Sequence, residues 1–169
     1  MNQFLRMNSL LSQLFALCSP LFARYSPLFA LCSTLLACSL FAQTRDSASS
    51  QIIHLLDLQA SAWNRGDVAG YMDCYWKSDS LIFTSGGTVS RGWQATFDRY
   101  ARKYDTKEKM GTLIYSDVEV TILSERSAWV LGRWELKRAT DHPHGIFTLV
   151  LRKFQEGWRI VHDHTSAEL

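Results

Sequence analysis

The chain has 169 residues, 47% of them hydrophobic and 20% charged, with a formal net charge of +2. The first 42 residues hold Arg6 and Arg24 but no Asp or Glu, so the other 127 carry 16 basic and 16 acidic side chains and no net charge. That balance argues against nucleic-acid binding and electrostatic membrane binding, which call for a basic stripe or cluster.

The first 42 residues, dominated by Leu, Phe, Ala, Ser and Cys, do not read as a domain. An apolar run from Leu28 to Ala42 follows Arg24 and ends at Gln43-Thr44-Arg45-Asp46, the pattern of a secretory signal peptide cut after Ala42. A retained membrane anchor is the weaker reading, because Pro20, Arg24 and Pro27 interrupt the stretch and the apolar run after Pro27 is shorter than the roughly 20 residues a spanning helix needs. Leu35-Leu36-Ala37-Cys38 is an imperfect lipidation box, so a lipoprotein anchored at Cys38 is the alternative to a secreted or periplasmic protein. The SPLFA echo at Ser19 and Ser26 reads as low complexity. Three of the four cysteines lie in this leader, which leaves Cys74 alone and no internal disulfide.

Residues 43–50 read as a linker offering helix caps, and 51–169 as one domain whose core can draw on six Trp. Ile52, Leu56, Ala60 and Trp63 recur at helical spacing up to Arg65-Gly66. Asp67 is placed to cap a second helix running to Trp76, with Val68, Tyr71, Met72 and Tyr75 on one side and Cys74 in mid-helix. Leu81 to Thr84 and Thr88 to Ser90 form a hairpin about Gly86-Gly87, which is a turn and not a phosphate loop. A third helix follows Gly92, with Trp93, Phe97, Tyr100 and Tyr104 sharing a face; Arg99, Arg102, Lys103, Lys107 and Lys109 alternate with Asp98, Asp105 and Glu108 as a solvated surface.

From Gly111 the period changes to two. Residues 113–123, 128–138, 145–154 and 158–165 read as four strands joined by short connections, hence an antiparallel meander. Helices first and a curved sheet afterwards make the class α+β. A three-residue loop at 155–157 sets Phe154 against Trp158, Leu151 against Val161, Leu149 against Asp163 and Phe147 against Thr165, with Ile160, His162 and His164 on the opposite face. Val130, Gly132, Trp134 and Leu136 are placed with Phe147 and Leu149 under the helices, since helices cover apolar surface. Asp163 then points into the covered side, where a lone carboxylate is costly unless protonated, paired or wetted. A polar task and simple backbone or indole hydrogen bonding weigh about equally as its explanation.

Two His-x-His pairs, His142/His144 and His162/His164, raise a metal hypothesis. In this register His144 stands four residues from His164 across the sheet, roughly 13 Å at the usual strand rise. A site on His162 and His164 alone would need Glu135 as a further ligand, so the sequence points to no metal and no cofactor. No Ser lies in a nucleophile elbow, and Cys74 has no evident base.

The run AWNRGDVAGYMDCYW (62–76), the pieces SRGW (90–93) and LGRWEL (131–136), and the ending GWRIVHDHTS resemble the nuclear transport factor 2-like superfamily, and within it the SnoaL-like group of unestablished function. The ending is also similar to the association domain of calcium/calmodulin-dependent kinase II. The resemblance covers about residues 50–169. It implies a cone of three helices wrapped by a curved sheet, an open cavity between them, and a homodimer through the sheet. Tyr71, Tyr75, Trp93, Trp134, Phe147, Leu149 and Thr165 are the expected cavity residues, Asp163 the expected acid or base, and His162/His164 the alternative site. Three functions are compatible with such a cone. The first is binding of a small hydrophobic molecule; the second is a cofactor-free isomerase or lyase of the ketosteroid isomerase type, with Tyr71, Tyr75 or the Trp134 indole as hydrogen-bond donor; the third is an assembly module.

Overall fold

A computed structural model describes residues 45–168. The expected signal peptide, its expected cleavage point after Ala42 and Cys38 lie outside them. The first helix, α1, occupies 45–64, so the stretch 45–50 expected as linker is already helical. Its buried face carries Ile52, Leu56, Gln59 and Trp63, spaced four, three and four residues apart as one helical stripe requires. Gly66, at φ +83°, closes the helix with its N–H on the Trp63 carbonyl.

Helix α2 spans Val68–Met72, and the Asp67 side chain caps it by accepting from the Gly70 N–H at 2.7 Å. It stops short of the expected Trp76 because the chain peels away to join the last strand. Tyr75 forms a parallel bridge to Ile160, Trp76 N–H donates to the Ile160 carbonyl, and Ile160 N–H donates to Cys74. Cys74 therefore sits buried in the segment after the helix, not in mid-helix.

Strands β1 (Ile82–Ser85) and β2 (Thr88–Arg91) form the expected hairpin. Both turn glycines have positive φ, +56° and +75°, as a two-residue hairpin turn of this hand needs. Helix α3 (Trp93–Lys103) follows Gly92, and a short helix α4 (Lys107–Met110), absent from the sequence reading, is capped by Thr106. Then come β3 (Thr112–Ser124), β4 (Ser127–Lys137), β5 (His144–Phe154) and β6 (Gly157–Thr165).

The six strands form one sheet in the order β2-β1-β6-β5-β4-β3, antiparallel except for the β1–β6 pair. The α+β class and its curved, mainly antiparallel sheet stand as expected. The inner face of the meander carries Ala128, Val130, Leu136, Phe147, Leu149 and Leu151, all buried. Each large apolar side chain so covered contributes about 1.5–3 kcal/mol. Two hydrogen bonds between Asn64 and Leu113, at 2.7 and 3.0 Å, tie α1 to the start of β3, and one from the Trp63 indole to the Met110 carbonyl at 3.0 Å ties it to the end of α4.

The β5–β6 ribbon differs from the expected pairing in one respect. Phe154 lies opposite Gly157 and Lys153 opposite Trp158, so the turn has two residues, and Ile160 faces inward opposite Leu151. A β-bulge then leaves Val161 without a partner, between Leu151/Ile160 and Val150/His162. Beyond the bulge Leu149 pairs with Asp163, Thr148 with His164 and Phe147 with Thr165, as the sequence count has them. The extra residue reverses the odd-even phase of the strand and increases its local twist.

Candidate functional site

Between the helices and the inner sheet face lies a cavity of about 210 Å³. Aromatic rings from several elements line it: Trp63 from α1, Tyr71 from α2, Phe83 from β1, Tyr100 from α3, Tyr115 from β3 and Phe147 from β5. Trp63 on Tyr71 at 4.9 Å and Tyr115 on Phe147 at 5.2 Å meet edge-on, Tyr71 on Tyr75 at 5.8 Å is tilted, and Tyr71 stacks on Tyr100 at 5.4 Å between centroids.

Asp163 sits in this wall, 3% exposed. The Tyr75 hydroxyl donates to Oδ2 and the Thr165 hydroxyl to Oδ1, both at 2.7 Å. With its only proton spent there, Tyr75 accepts from the Tyr71 hydroxyl at 3.3 Å. Burial pushes the Asp163 carboxyl up to about 6, and the two hydroxyl donors and the charge of His164 hold it from rising further. Burial, first among the causes, also keeps the Tyr71, Tyr75 and Tyr100 phenols well above their ordinary range, so they stay neutral.

The expected residues divide into three groups. Tyr71, Trp134, Phe147, Leu149, Asp163 and Thr165 line the cavity. Tyr75 is not among the lining residues and reaches the site through Asp163. Trp93 lies elsewhere: its indole donates to the Met72 carbonyl at 2.9 Å and its ring stacks on Phe97. The Trp134 indole, a candidate donor from sequence, is occupied by the Ser166 carbonyl at 2.9 Å. His164 is exposed and His162 half-buried, and neither lines the cavity. Glu135 pairs in register with His144, not with those histidines. His144 instead bonds the His142 carbonyl at 3.0 Å and approaches Glu168 at 3.3 Å. Among the described residues no three His, Cys, Asp or Glu side chains converge as a metal site.

Sequence reasoning missed Gln59, Tyr100 and Tyr115 as wall residues. Gln59, 1% exposed, accepts from the Tyr115 hydroxyl at 2.9 Å. The signal for it was present: position 59 falls on the apolar stripe of α1 yet holds an amide.

The family model of the SnoaL-like domain matches residues 52–169. The chain belongs to the SnoaL-like family. This SnoaL-like domain is similar to an NTF-2-like protein of unknown function from Shewanella oneidensis MR-1, with 41% identity and a TM-score of 0.68 over 70% of this chain and 98% of that one. A nuclear transport factor 2-like superfamily protein from Salmonella enterica serovar Typhimurium LT2 shares 18% identity at a TM-score of 0.60, over 74% of this chain and 94% of that one. A ketosteroid isomerase-like protein from Erwinia carotovora atroseptica shares 21% identity at 0.59, over 71% and 95%. At those identities the last two likenesses concern the fold alone. No curated protein matches the SnoaL-like chain.

Proposed function

We propose that this SnoaL-like domain binds a small, flat, largely apolar molecule bearing a polar group, and that the protein works as an exported homodimer. The observation that carries the binding reading is the aromatic cavity with one buried carboxylate in its wall. Its volume lies below the range of about 300–1,000 Å³ common for larger ligands, so the occupant is small. Rings offer face and edge contacts to a planar molecule, and Asp163 supplies orientation. Support for export comes from the composition of the leader, and for pairing through the sheet from the apolar Trp129, Leu131 and Val150 of its outer face.

A thermal-shift screen of small phenols, aromatic ketones and aromatic acids tests this reading. A compound present at 100 times its Kd stabilises the fold by about 2.7 kcal/mol. Leu149→Trp, which fills the cavity, should abolish that shift; a panel without a single hit, or a shift that survives Leu149→Trp, would remove the proposal.

A second reading, acid-base catalysis on the bound molecule, is favoured by the Asp163 carboxyl standing at about 6. A group poised there exchanges protons readily near neutral pH. Asp163→Asn should retain ligand binding and abolish turnover of any substrate the screen yields.

A further inference from the structure

Gln59 presents a polar atom that the fold itself leaves unused. Its side chain belongs to the cavity wall, its Oε1 accepts from Tyr115, and its Nε2 is buried without a partner among the described residues. A buried amide N–H without an acceptor is a standing cost that native folds rarely carry without a reason. Turning the amide over does not relieve it. Nε2 would then donate to the Tyr115 oxygen, Gln59 Oε1 would lose its partner, and the Tyr115 proton would have to turn to the Tyr71 hydroxyl beside it. With Oε1 holding the Tyr115 proton, as it does here, the group left over is an N–H donor, and its complement is an acceptor oxygen.

The rest of the wall narrows the chemistry. Asp163, already receiving two hydroxyls, presents acceptor capacity when ionised, so it suits a donor on the occupant. We propose that Gln59 is a specificity-determining residue, selecting small ring compounds that carry a carbonyl oxygen and receiving that oxygen at Nε2. This inference rests on the cavity being a binding site and adds the class of molecule it takes. Tyr115 is the positioning residue, since its hydroxyl fixes which end of the amide is spent.

Two probes separate the claims: naphthalene, and methyl naphthyl ketone, which adds the carbonyl to the same rings. Calorimetric titration of the full chain should show about a tenfold preference for the ketone, the worth of one buried hydrogen bond. Gln59→Leu should erase that preference, bringing the two probes to equal affinity. The double variant Gln59→Met/Tyr115→Phe keeps the volumes and removes both polar ends together, a change that can be nearly neutral for stability. It should melt like the parent and likewise lose the preference. A ketone preference that persists in either variant overturns the role of Gln59. Equal binding of both probes by the parent overturns it too while leaving the cavity reading intact, whereas a parent that binds neither probe takes down both.

Discussion

The Tyr75 hydroxyl donates to Oδ2 of Asp163 at 2.7 Å, joining the segment after α2 to the terminal strand. That bond favours the ionised carboxylate and opposes the effect of burial. Removing it in Tyr75→Phe should move the Asp163 titration upward from about 6, read by carbon NMR of the carboxyl. The shift should be about one to two pH units, since a hydrogen bond to a charged group is worth about 1.5–3 kcal/mol. A midpoint that stays put or falls would show that the tyrosine does not stabilise the anion.

Asp163 also makes stability depend on pH in an unusual direction for a carboxylate. Its folded value, about 6, lies above the ordinary 3.8, so the native state holds this proton more tightly than the unfolded chain does. The associated stability is complete below about pH 4 and is lost as pH rises through 6, a loss of about 3 kcal/mol by neutrality. Asp163→Asn cannot ionise, so its stability relative to the parent should rise across this interval and then level off. Denaturant unfolding at several pH values reads the difference directly, and parallel curves for the two proteins would contradict the burial-driven shift.

Gly132 pairs with Phe147 across β4 and β5, and a Cβ at 132 would collide with the Phe147 ring. Gly132→Ala should drive that ring into the cavity. Overpacking of this kind typically costs about 1–3 kcal/mol. Ligand affinity should suffer more than stability does, because the displaced atoms occupy the ligand's room. Retained binding of a compound that the parent binds would mean the ring had found another path.

Much of the site was legible because strand alternation is a strong constraint. Leu149, Phe147 and Thr165 share the Asp163 face, as their order in the sequence implies. Yet that agreement passed through two compensating differences. Near the turn, a two-residue connection replaces a three-residue one, and the unpaired Val161 then restores the phase. No residue type announces a bulge at that point, since bulges answer the twist a curved sheet needs more than a local preference. Trp93 shows another limit. Helical spacing placed it with Tyr100 and Tyr104, but it is the first residue of α3, where the Met72 carbonyl and the Phe97 ring claim it before the cavity does. The early end of α2 was likewise invisible, because β6, with which residues 74–76 pair, comes more than eighty residues later.

The placement of β6 has a consequence for how the domain is made. Among the described residues it is the sole bridge between the β1–β2 hairpin and the three-strand meander, holding Phe83 on one flank of Asp163 and Leu149 on the other. Because β6 follows the other five strands in the chain, the sheet stays in two halves until it slots between them, so the buried Asp163 carboxyl and the closure of the wall around it arrive together. Such long-range pairing slows assembly and leaves two strand edges open to wrong partners in the meantime.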